Sequence, residues 1–151
     1  MGEILNRRDD WPERLAEYLD ARRRAPFQWG HFDCCRFCCA GLAVQGLPDP
    51  MPAAARRYKT ERGALTMIRR LGGTLDEAGT RLAGRAGFKE IPVLMAGRGF
   101  PVLADMVLPD GTEAPALGLV SLDARFALFA HADGGLLQVP VTGCRRAWSL
   151  D

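Results

Sequence analysis

Helix-start signals crowd the first half of this chain and vanish from the second. Asp10 precedes Trp11, Pro12 and Glu13; Asp33 precedes "CCRFCCAGLAV"; Thr60 precedes "ERGALTMIRRLGG"; and Thr74 stands three residues before Glu77. In each case a short polar side chain able to accept from the first free backbone N–H groups stands before apolar residues at helical spacing. They predict helices over about 11–23, 34–44, 60–71 and 74–84, the second stopped by Gly46 and the third by Gly72 and Gly73. From Phe100 onward the pattern shortens to "VLADMVL", "PALGLVSL", "RFALFAH" and "GLLQVPV", separated by the turn segments "PDGTE", "DAR" and "ADGG". The closing "RRAWSL" reads as a last strand with Trp148 in the core. Helices followed by a strand meander indicate an α+β domain rather than alternating βαβ units. We therefore expect a single domain over residues 1–151, helical over about 10–85 and stranded over about 100–150, with helices packed on a small antiparallel sheet or barrel.

A chain of 151 residues can bury a core without covalent staples. Four of its five cysteines fall between Cys34 and Cys39, in adjacent pairs that cannot bridge without severe strain, so the pattern suggests folding in a reducing compartment. The opening "MGEILNRRDDWPER" lacks the apolar core of a signal peptide, and Asn6 breaks the myristoylation pattern. No apolar run reaches the length of a membrane span, which places folding in a cytoplasm. Residues 1–70 carry 13 basic and 9 acidic groups and residues 71–151 carry 7 and 9, a mild polarity of +4 against −2. The basic groups are interleaved with Asp and Glu, which argues against nucleic acid as a partner.

The cysteine cluster opens the second predicted helix. A thiol there faces unpaired N–H groups and the positive end of the helix dipole, both of which favour thiolate, and Cys34 directly follows the cap Asp33. Cys38 and Cys39 read as small core residues. Cys35 and Cys38 have ligand spacing for zinc or an iron–sulfur cluster, with Cys34, Cys39 and Cys144 as further thiolates. Side chains adjacent on one helix point about 100° apart, so such a set converges poorly on one ion, and no cofactor is expected.

The stretch Phe27-Gln28-Trp29-Gly30-His31-Phe32-Asp33-Cys34-Cys35-Arg36-Phe37 resembles the nucleophile motif of the NlpC/P60 cysteine peptidases, which cleave peptidoglycan stem peptides. Within that superfamily the chain is most similar to the DUF6950-type proteins that tailed phages and prophages encode beside their tail-tip genes. The likeness extends through "DDWPERL", "YKTERGA", "ADMVL", "ALGLV" and the closing "AW". It implies a papain-like core with a nucleophile helix packed on a small barrel, Cys34 as nucleophile, and Trp29, Gly30 and Asp33 as motif residues. It also implies a histidine base at the head of a His-x-Gly strand. That strand is "APALGLVSL" here, and Ala116 stands in the base position. His131 falls near the place of the residue that orients the base.

Amide hydrolysis needs a positioned acid for the leaving amine even where a thiolate forms unaided. His31, three residues before Cys34, and His131 are the candidates for it. With the base position vacant, the resemblance implies a structural component of a phage tail tip or baseplate, assembled in the host cytoplasm among other tail proteins and residing in the virion. The alternative is an active peptidase or amidase acting on peptidoglycan during infection.

Overall fold

The computed structural model describes residues 6–108 and 110–151. Four helices come first: α1 (Trp11–Arg22), α2 (Cys34–Val44), α3 (Glu61–Leu71) and α4 (Leu75–Ala86). Six strands follow: β1 (Lys89–Ile91), β2 (Pro101–Val107), β3 (Glu113–Val120), β4 (Phe126–Ala130), β5 (Leu136–Pro140) and β6 (Arg146–Ser149). They form one sheet in the order β1-β6-β2-β3-β4-β5, antiparallel at every pairing. The architecture is α+β, and the sheet is open, with β1 and β5 as its edges rather than joined in a barrel.

Three predicted caps form as read. Asp33 accepts from Arg36 N at 2.9 Å, Thr60 from Gly63 N at 3.0 Å and Thr74 from Glu77 N at 3.2 Å. Asp10 departs from the expectation. It sits at the N-cap of α1 but makes no side-chain cap bond, because its two oxygens are taken by Arg8 Nε at 2.9 Å and Arg14 Nε at 3.0 Å. Helix α4 runs two residues past Gly84 and stops at Gly87, whose φ of 84° suits a left-handed C-cap. Strand β1 lies outside the expected strand part. It has three residues, too few for an alternation to be visible, and exists through long-range pairing of Lys89 with Ser149 and Ile91 with Ala147.

Helix α2 lies against the middle of the sheet. A Cβ on Gly41 would fall inside contact distance of the Leu119 side chain, so glycine is what lets α2 approach β3 so closely. Gly79 on α4 faces Leu117 and the Trp148 ring, where a Cβ would stand at an ordinary contact distance of 3.4 Å. Leu103, Leu119 and Leu128 are excluded from solvent in this layer, and Trp148 is a core residue as expected. Each large apolar side chain so buried contributes about 1.5–3 kcal/mol.

Two further devices tie the helices to the sheet. Gln45, fully buried at the end of α2, donates to the carbonyls of Gly41 and Gly99, both at 3.1 Å. Arg145 makes paired bonds of 2.8–3.0 Å to Asp76 on α4 and to Asp105 on β2, while Arg146 reaches Asp76 and Glu90. These bidentate contacts span α4, β1, β2 and β6. No helix among the described residues is long and apolar enough to cross a membrane.

Candidate functional site

The loop before α2 is a folded unit in its own right. Gln28 and Phe32 exchange backbone bonds of 3.0 and 2.8 Å, so Trp29, Gly30 and His31 form the tip of a tight turn. Gly30 has φ 81°, and a Cβ there would run into the Tyr58 carbonyl oxygen. Glycine is thus required twice, for the turn and for the passing chain. Asp33 is 1 % exposed and its carboxylate accepts three bonds: Gly30 N at 2.8 Å, Arg36 N at 2.9 Å and the Tyr58 hydroxyl at 2.6 Å. Burial raises the Tyr58 hydroxyl pKa well above its ordinary value, and the neighbouring Cys35 and Asp33 add to the effect, so it stays a donor. Trp29 is half-buried in the loop before α2 and meets Phe27 edge-on at 4.9 Å.

Cys34 begins α2 and is half-buried, whereas Cys35, Cys38, Cys39 and Cys144 are buried; all five are free thiols. Its pKa is lowered. The Cys35 thiol donates to it, and the backbone N–H groups of Leu117 and Cys35 act on the same sulfur, outweighing burial and the negative charge of Asp33. The same Cys34–Cys35 bond, together with burial, drives Cys35 well above the ordinary thiol range. Burial does likewise to Cys38 and pushes Cys39 to about 12 and Cys144 to about 11. One thiol of five is therefore tuned toward thiolate.

Sheet register decides which way the Leu117 amide turns. Val120 N bonds Phe100 O across the β2–β3 side, and antiparallel alternation then turns the Leu117 backbone groups away from β2, toward the β4 side. There the β3–β4 ladder has only two pairs, Leu119 with Leu128 and Val120 with Ala127. Continued three residues further, the register would place His131 opposite Ala116, but the ladder ends first. Gly118 marks the end: a Cβ would collide with the Leu128 carbonyl and lie 2.7 Å from the Phe129 ring. The glycine of "ALGLV" thus has a packing reason independent of catalysis. Ala116, where the resemblance implies a base, is half-buried on β3.

The two histidines serve local turns. His131 follows β4, and its Nδ1 accepts from Asp133 N at 3.1 Å, with the Asp133 carboxylate 3.9 Å away. Its backbone closes the β4–β5 turn through bonds with Gly135 and Gly134, and Gly135 N bonds Ala25 O. His31 is exposed on the turn before α2, with its N–H on Gln28 O at 3.1 Å.

Among the described residues no group of three or more His, Cys, Asp or Glu is placed to hold a metal ion. Cys38 faces the Gly118 carbonyl at 3.5 Å rather than turning toward Cys35 as a co-ligand. An apolar void of about 20 Å³ touches Cys38, Cys39, Leu117 and Trp148, room for one water at most.

Two parts of this site carried no sequence signal as functional residues. Tyr58 lies 25 residues from the Asp33 it bonds. The Leu117 contribution is a backbone group whose direction follows from strand register.

A search among curated proteins finds no match to the chain. The family described as Domain of unknown function (DUF6950) matches it over residues 6–150, nearly its whole length and including every element of the site just described. The chain belongs to the DUF6950 family.

Proposed function

We propose that this chain is a structural component of a tailed-phage tail tip or baseplate, built on a degenerate NlpC/P60-like fold and without peptidase activity. The observation that carries the reading is the fate of the motif residues. Gly30 and Asp33 are held by Tyr58 and by the start of α2, so the fold alone is reason enough to keep them. The candidate acids and bases are not gathered at Cys34: Ala116 has no titratable group, His131 gives its Nδ1 to its own turn, and His31 is exposed on the turn before α2. Without a positioned acid, an amine cannot leave from a tetrahedral intermediate. Partners on this reading are other tail proteins, and the protein resides in the virion after assembly in the host cytoplasm.

The lowered pKa of Cys34 favours a second reading, an active peptidoglycan peptidase or amidase. Digestion of purified peptidoglycan by the wild-type chain and by Cys34→Ser separates the two. The structural reading predicts the same stem-peptide release from both, at the level of buffer alone. Release by the wild type that Cys34→Ser abolishes would establish the second reading.

A further inference from the structure

We infer that copies of this chain associate head to tail, the β2–β3 hairpin tip of one seated on the outer face of α3 of the next. At 100° per residue, Arg62, Leu65, Thr66 and Arg69 share a sector about 100° wide, opposite the buried Ala64 and Met67. Leu65 is 48 % exposed, and Arg62, Arg69 and Arg70 are exposed without an ion-pair partner among the described residues. An exposed apolar residue flanked by free arginines has the composition of an interface centre, where Arg is enriched and Lys depleted.

The hairpin tip carries the complement. Val107 is 69 % and Leu108 39 % exposed, and Asp110 and Glu113 beside them are exposed acids. Leu108 N bonds Thr112 O at 2.7 Å, and one Asp110 oxygen accepts from the Thr112 amide at 2.9 Å and its hydroxyl at 2.6 Å. Asp110 stays ionised, its pKa lowered by those bonds. An apolar pair with two carboxylates thus matches an apolar residue with two or three guanidiniums, on elements distant in the chain. Two different patches meeting make a heterologous contact, which closes into a ring or extends as a filament. The inference rests on the reading of the chain as an assembly subunit and names what one face of that subunit binds.

The test is sedimentation of the purified chain at rising concentration, because patches this small form transient contacts below about 1,200 Å². Wild type should self-associate, and salt should weaken it. Arg62→Glu with Arg69→Glu, and separately Asp110→Arg with Glu113→Arg, should each weaken association tenfold or more, since like charges then face each other. Circular dichroism and thermal melting establish that both variants fold. Mixed together, the two variants should associate again, because every tip then finds a face of opposite charge. Monomeric wild type at all concentrations, association indifferent to both variants, or no recovery on mixing would each overturn the inference. None of these results depends on Cys34, so peptidoglycan hydrolysis would sink the structural reading without affecting the sedimentation outcome.

Discussion

Replacing Tyr58 with Phe removes one oxygen and tests whether the Asp33 unit is a fold element. The lost bond is 2.6 Å long and ends on a carboxylate that is 1 % exposed. Hydrogen bonds to charged groups contribute about 1.5–3 kcal/mol, and burial of the acceptor favours the upper half of that range. The carboxylate keeps its bonds from Gly30 N and Arg36 N, so it is weakened rather than orphaned. We expect Tyr58→Phe to cost about 2 kcal/mol, a fall in Tm of about 4–8 °C for a chain of this length. Urea unfolding should show a lower midpoint at unchanged slope, since the surface exposed on unfolding does not change. Asp33→Ala removes all three bonds and should cost more, and the double variant should fall short of additivity by about 1.5 kcal/mol or more. A Tyr58→Phe loss under about 0.5 kcal/mol, the range of an ordinary surface substitution, would mean that the Asp33 unit does not hold the fold. So would full additivity with Asp33→Ala.

Three other expectations follow from named contacts. Gly118→Ala drives a methyl group into the Leu128 carbonyl and the Phe129 ring, and should destabilise by about 2 kcal/mol or more in urea unfolding; a neutral result would mean that the β3–β4 junction is looser than drawn. Alkylation followed by peptide mapping should find Cys34 modified first, with a rate profile shifted to lower pH than a free cysteine, because the other four thiols are buried and raised; equal labelling of several sites would contradict the assignment. Arg145 and Arg146 hold the Asp76 carboxyl at about 2, below the roughly 3.9 of an unfolded chain. A depressed folded pKa stabilises above the unfolded value and loses that contribution as pH falls toward 2, so stability should decline between about pH 4 and 2. Asp76→Asn should flatten that decline, and an unchanged pH profile would contradict it.

The parts of this molecule legible in its sequence are those set by neighbours in the chain. Asp33 and Gly46 bracket α2, and a cap bond is local, so its limits came out as Cys34–Val44. Asp10 misled because a cap competes with charge: arginines two residues before and four residues after claimed its carboxylate. Strand β1 was illegible because three residues carry no period and its partner β6 lies at the other end of the chain. The candidate site divides in the same way. Cys34 at a helix start was readable, but the groups that set its environment are not local. Tyr58 reaches Asp33 from a separate segment, and the side to which the Leu117 amide turns follows from how β3 pairs with β2 and parts from β4. Gly118 has a packing reason that needs no chemistry: a Cβ there would meet the Leu128 carbonyl and the Phe129 ring.

On the proposed function Cys34 belongs to a retained fold rather than to a working catalyst, and the infectivity per particle of a tailed phage whose copy of this chain carries Cys34→Ser reads this out. Serine keeps the position and the helix start while removing the thiolate. Particles in normal number with normal infectivity are expected, the chain present in the purified virions. Intact particles that bind cells but infect poorly would contradict it and assign this chain a peptidase's work at the cell wall.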